Sequence, residues 1–177
     1  MKEKIFSIAD YNSDNGMLTS IWGPPMWHAL HTISFNYPVN PSLEQKKNYL
    51  AFFKSLQHVL PCRHCRDNYK KNIQKIRLNM NTMKNRHSLS LWLFNLHEEI
   101  NKNLGKKSGL KYAQVRDRYE AFRSRCLKTK KTKKKPKREK GCVTPIYGVK
   151  SKCILNIVPK NKKCKSLKIS QKCLLKK

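Results

Sequence analysis

Cys62 and Cys65 stand two residues apart in Pro61-Cys62-Arg63-His64-Cys65. At that spacing, at the start of a helix, two sulfurs can close a small disulfide with little backbone change. The helix N-terminus and the neighbouring Arg63, His64 and Arg66 favour the thiolate, which is the nucleophile in thiol–disulfide exchange. In a cytosolic chain such a pair suggests a thioredoxin fold, but that fold needs βαβ patterning, which this sequence lacks. The competing chemistry is a zinc half-site, completed by His58, His64, His87 or His97. No second Cys-x-x-Cys and no His-x-x-x-His supports it. The local sequence leaves redox, metal and incidental readings open.

A second set of residues lies between Trp92 and Lys106. His97 and Asn101 are four apart and share one helix face. Lys106 follows just past the helix end. A polar row of His, Asn and Lys beside an apolar stripe can grip a ring system and a phosphate together. The same pattern fits a solvated helix face with a core stripe behind it.

These residues need helices to hold them. Gly23-Pro24-Pro25 opens the first, since proline is tolerated in a first turn. Trp27, Leu30, Ile33 and Ser34 share one side of it, and Pro38 ends it. Ser42 and Gln45 form a capping box for a second helix. Its stripe is Leu50, Phe53, Leu56, Gln57 and Leu60, and it stops before Pro61. Residues 62–76 form a polar third helix with apolar contacts at Tyr69, Ile73 and Ile76, followed by an Asn-rich loop. Ser88 or Ser90 starts a fourth, apolar at Leu89, Trp92, Leu93, Leu96, Ile100 and Leu104, with Gly105 as its C-cap. A fifth, over residues 112–126, carries Val115, Tyr119, Phe122 and Cys126. No period-two strand precedes residue 140. The expected fold is all-α, a four-helix bundle with a short fifth helix. A core this thin gains from a bound cofactor or a dimer partner.

The 177 residues divide into an arm (1–19), a helical domain (20–126) and a basic tail of low order (127–177). The arm reads as poorly ordered, with a turn cluster over residues 12–16. Formal net charge is +30. Residues 127–177 contain 19 Lys/Arg against Glu139 alone, a block that reads as an interaction tail. Electrostatic contact with nucleic acid or an acidic surface is one role for it. With Tyr147 as its only aromatic, such contact would be non-specific. Cys142, Cys153, Cys164 and Cys173 recur through it every nine to eleven residues, and a solvated, disordered tail is another reading. No apolar run is long enough for a membrane span, and the N-terminus lacks the apolar core of a signal peptide. A cytosolic or nuclear compartment is expected, where stable structural disulfides are rare.

Taken together, three motifs resemble the Erv/ALR-type FAD-linked sulfhydryl oxidases. They are Trp27-His28-Ala29-Leu30-His31, then Pro61-Cys62-x-x-Cys65, then Trp92 with His97-x-x-Ile100-Asn101-x-x-Leu104-Gly105-Lys106. The likeness covers about residues 22–120. Short spacers and an Asn-rich, basic character are similar to members carried by large DNA viruses. The resemblance implies a bundle that binds FAD at its mouth, a homodimer, protein dithiol substrates and dioxygen as electron acceptor. For a viral member it implies the host cytoplasm or the virion. It assigns Cys65 to the flavin side and Cys62 to the substrate side. Gly23, Trp27 and His31 would line the flavin pocket. His97, Ile100, Asn101, Leu104 and Lys106 would hold the adenine, ribose and phosphate end. Tyr119 would supply an aromatic against the cofactor, and Arg123 or Arg125 could reach phosphate.

Departures from the family pattern are specific. Pro24 stands where the family often has Arg, and Glu98 where Asn commonly follows the motif His. Phe94 and Lys111 occupy the places of a structural disulfide found in many members. Both halves of that staple are missing together, which leaves the active pair untouched.

Overall fold

The computed structural model describes residues 7–124, 141–159, 161–162 and 168–174. Arg125, Cys126, Cys164 and the basic run 128–140 lie outside the described residues. The chain forms two compact units, residues 1–108 and 109–177.

The first unit holds five helices, α1 (Ile8–Asn12), α2 (Thr19–Asn36), α3 (Leu43–Val59), α4 (Arg63–Lys75) and α5 (Arg86–Asn103). Helices α2–α5 are the four of the bundle. The main packing pairs are α2 with α5 and α3 with α4. Their apolar stripes meet in a core in which Tyr37, Phe53, Met83, Leu89, Leu93 and Leu96 are fully buried. The Tyr69 hydroxyl donates to the Phe53 carbonyl at 2.8 Å, tying α4 to α3. The Tyr37 hydroxyl donates to the Met83 carbonyl at 2.9 Å, so the polar tips of both buried tyrosines are satisfied.

The helix boundaries show which local signals dominated. Ser42 and Gln45 form the expected capping box. Pro38 follows directly on the C-cap Tyr37 of α2. By contrast, α2 begins at Thr19, four residues before Gly23. The Trp22 indole donates to the Met17 carbonyl at 2.9 Å, and the Ile21 N–H to the Leu18 carbonyl. These bonds wind an extra turn ahead of the two prolines. The N-cap of α5 is Asn85, neither Ser88 nor Ser90. Its side chain accepts from the Ser88 N–H at 2.9 Å, whereas the Ser90 hydroxyl donates back to the Arg86 carbonyl inside the helix. At the far end, Gly105 takes φ 65°. The Lys106 N–H reaches the Asn101 carbonyl at 2.8 Å and the Gly105 N–H reaches Lys102. This paired closure is the expected glycine C-cap. Leu104, placed on the apolar stripe by sequence, is exposed; it is the C-cap residue, where the helical periodicity ends. The Asn-rich loop between α4 and α5 buries Leu78 and Met83 and so forms part of the core.

In the second unit α6 (Tyr112–Glu120) is the short fifth helix. A single bridge joins Ser124 and Pro145, and a one-turn 3₁₀ helix spans Gln171–Cys173. No extended strand is formed among the described residues. Cys142 is disulfide-bonded, while Cys153 and Cys173 are free.

Candidate functional site

Cys62 is the N-cap of α4, with an extended backbone (φ −163°, ψ 124°). Its Sγ accepts the Cys65 N–H at 3.3 Å. A sulfur takes the place usually filled by a Ser or Asp oxygen, at the end of the helix where negative charge is favoured. Cys62 and Cys65 are both free and half-buried, and Cys65 packs against the core. Burial, followed by the hydrogen bond and charge of Cys62, pushes the Cys65 thiol up to about 12, against a smaller downward pull from Arg66. The two sulfurs are chemically unequal. Cys62 caps the helix through its sulfur, and Cys65, pushed up by burial, holds its proton. Arg63 and His64 are exposed; of the three basic neighbours expected to act on the pair, Arg66 is the one that pulls the Cys65 thiol down.

A second cluster joins α2 to α5. The Trp27 indole and the His97 imidazole stack with centroids 3.9 Å apart and planes 4° apart. His31 Nε2 and His97 Nδ1 are 3.1 Å apart, so one must donate and the other accept. Burial first, then the charges of His97 and His28, lower His31 to about 3. Burial lowers His97 to about 4, against a small upward pull from Glu98. Both rings are therefore neutral at physiological pH, and the tautomers decide which nitrogen donates. The cluster offers a flat aromatic surface with uncharged ring nitrogens at its edge.

The remaining predicted residues divide. Ile100, like Trp27 and Cys65, packs against the core. Asn101 donates through Nδ2 to Glu98 at 3.1 Å, so the departure from the family pattern at Glu98 occupies the candidate ligand. Leu104 and Lys106 are exposed beyond the helix end. Gly23 is half-buried, and an added Cβ would touch nothing within 4 Å, so no close approach requires glycine there. Tyr119 is buried on α6, in the second unit, edge-on to Phe122. The Arg123 guanidinium is held by Glu120.

Three residues escaped the sequence reading. Trp92 was taken as a motif and stripe residue; its buried indole N–H has no acceptor among the described residues. Asp14 and Gly16 contact the redox turn itself. The turn cluster over residues 12–16 was a visible signal for a bend, but nothing in it indicated what the bend would meet. Among the described residues, no three His, Cys, Asp or Glu side chains converge to hold a metal ion. The zinc alternative thus lacks a third ligand there.

Comparison with known proteins places this site in context. The profile of the Erv1 / Alr family matches residues 24–120, more than half of the chain. The probable FAD-linked sulfhydryl oxidase of Acanthamoeba polyphaga mimivirus is 37% identical over 86 residues, covering 49% of this chain and 60% of that protein. The FAD-linked sulfhydryl oxidase ERV1 of Arabidopsis thaliana is 33% identical over 84 residues, 48% of this chain and 42% of that one. The chain thus spans about half the length of these relatives. The crystal structure of the FAD binding domain of Erv1 from Saccharomyces cerevisiae superposes with a TM-score of 0.53 at 26% identity, covering 58% of this chain and 94% of that one.

Proposed function

The chain belongs to the Erv1 / Alr family, and on that premise we propose that it is a FAD-dependent thiol oxidase that forms disulfides in protein substrates through Cys62 and Cys65. The observation that carries this reading is the inequality of the two sulfurs, one capping a helix and the other set against the core.

The residues present fit a flavin dinucleotide. Trp27 and His97 already stack face to face, and neutral ring nitrogens can exchange hydrogen bonds with the amide edge of a flat ring. Trp27, His31 and Gly23 would line the ring pocket, with His97, Ile100, Asn101, Leu104 and Lys106 toward the adenine, ribose and phosphate. For Asn101 that requires release from Glu98. When bound, FAD supplies a two-electron acceptor that can pass the electrons to dioxygen, giving hydrogen peroxide.

In the oxidised pair, a substrate thiolate attacks the Cys62 sulfur. The Cys62–Cys65 bond breaks, and Cys65 takes a proton, in keeping with its raised pKa. A second substrate thiolate then attacks the substrate sulfur of the mixed disulfide and expels Cys62. The Cys65 N–H and the α4 N-terminus stabilise that leaving thiolate. The substrate leaves with a disulfide, and the pair is left reduced by two electrons.

The α2–α3 surface supports a homodimer. A shallow cavity of about 200 Å³ is lined by Ile33, Asn48, Tyr49 and Phe52, and Leu43 and Phe52 are exposed on the same helix. Among the described residues no helix is long and apolar enough to cross a membrane; host cytoplasm or virion is the proposed setting, by likeness to the viral relatives. The basic tail is proposed to contact nucleic acid or another acidic surface.

A visible spectrum tests the central reading. Purified protein should be yellow and should consume oxygen when given dithiothreitol. A colourless, folded protein carrying stoichiometric zinc on Cys62 and Cys65 overturns it.

A further inference from the structure

Asp14 and Gly16 take left-handed backbone angles, φ 54° and 80°. Together they bend the amino-terminal arm back onto the turn that carries Cys62. Gly16 lies so close that an added Cβ would sit 2.3 Å from the Pro61 carbonyl oxygen and 2.9 Å from the Cys62 Cα. Those are backbone atoms of a packed turn, so no side chain fits there without moving the arm or the turn. The next residue, Met17, donates its N–H to the same Pro61 carbonyl at 2.7 Å. Two residues before Gly16, the Asp14 carboxylate accepts from Arg66 Nη2 at 2.7 Å. The other arm of that guanidinium, Nη1, donates to the Leu60 carbonyl at 2.9 Å.

Both carbonyls that precede Cys62 are thereby held. Leu60 is bonded by Arg66 and by the Cys62 N–H, and Pro61 by Met17. Two of the contacts that hold this turn, the Met17 N–H on Pro61 and the Asp14 carboxylate on Arg66, come from one four-residue stretch. The ion pair is largely exposed on the Asp14 side, so its contribution to global stability is small. Its geometric effect is larger, because it fixes a forked side chain between the arm and the backbone beside the cysteine pair.

We infer that residues 14–17 are a clamp on the redox turn, holding Cys62 at the α4 N-cap, with Asp14 as a positioning residue for Arg66. The Cys62 sulfur caps α4 only while it stays within reach of the Cys65 N–H. A loose 60–62 turn would let it swing away. The arm also covers the backbone side of Pro61 and Cys62, so an incoming thiol must reach Sγ from another direction.

This inference rests on Cys62 and Cys65 being the reacting pair, yet its test needs neither flavin nor oxygen. Full-length protein is reduced, desalted and labelled with a polyethylene glycol maleimide, and the rate is followed at the Cys62 peptide by mass spectrometry. With so bulky a label the rate follows access to Sγ, so Gly16→Val, which should lift the arm, should raise the Cys62 rate at least threefold. Asp14→Asn should raise it about twofold with an unchanged melting temperature, and Asp14→Glu should return it to the parent value. Parent-like rates in both Gly16→Val and Asp14→Asn overturn the clamp. So does a rise in Asp14→Asn that Asp14→Glu fails to reverse. Clamped labelling in a protein that oxidises no thiol would instead retain the clamp and discard the oxidase reading.

Discussion

The indole of Trp27 lies flat on the imidazole of His97, 3.9 Å between centroids and 4° between planes. Residues seventy positions apart on α2 and α5 thus build one aromatic surface, with His31 hydrogen-bonded at its edge. Loss of Trp27 removes half of that surface. A stacked aromatic pair contributes about 0.5–1.5 kcal/mol beyond area burial, so Trp27→Ala should weaken FAD binding by roughly tenfold. Flavin fluorescence titration of the apoprotein measures it. Equal affinity in parent and variant would remove Trp27 from the cofactor site.

The two cysteines should not be interchangeable. Cys62→Ser and Cys65→Ser should each abolish dithiol oxidation. Their remaining thiols should differ in alkylation. In Cys62→Ser, burial still holds the Cys65 thiol above the ordinary thiol range, so its iodoacetamide rate should climb steadily from pH 7 to pH 10 without a plateau. A plateau below pH 8 would show that Cys65 ionises readily, contrary to its packing.

Acid should weaken the fold through the histidine pair. Folded His31 and His97 stay neutral down to about 3 and 4, against 6.5 when unfolded. Above pH 6.5 neither state binds the extra protons. Below it the unfolded chain binds up to two more than the folded one. Stability therefore falls as pH drops from 6.5 toward 4, at roughly 1.4 kcal/mol per pH unit for each histidine, and levels off below the folded values. Urea unfolding at pH 7 and pH 5 checks this. A His31→Gln, His97→Gln double variant should lose clearly less on acidification than the parent, and an equal loss would place the acid sensitivity elsewhere.

Phe52 is 38% exposed beside the apolar cavity on α3. If that face joins two copies, Phe52→Glu should shift the protein to monomers, because a carboxylate cannot be buried there unpaired. Light scattering after size-exclusion chromatography reads the mass. A parent that is monomeric at micromolar concentration, or a variant that stays dimeric, counts against the interface.

The candidate residues for the chemistry were legible from type and spacing. Cys62 and Cys65 were marked by their motif, and His97 and Asn101 by a four-residue interval. Gly105 was marked by its place after an apolar stripe. The four bundle helices followed from periodicity and proline punctuation, since both are local properties of the chain. Local signals failed where a neighbouring side chain competed or where packing buried a loop. Asn85 displaced Ser88 as a cap, and Trp22 wound α2 one turn early. Leu78 and Met83 turned a polar loop into core.

The sequence by itself therefore determined the four bundle helices, the candidate redox pair and the family, while the helix at Ile8–Asn12 fell in an arm it read as poorly ordered. Only the tertiary structure decided that the two sulfurs are unequal, because Cys62 caps α4 while burial and a hydrogen bond push the Cys65 thiol up. Only it set Trp27 on His97 and neutralised both histidines, since stacking and desolvation depend on how α2 meets α5. It also carried Asp14 and Gly16 onto the Cys62 turn, a contact between segments some fifty residues apart that no local spacing encodes.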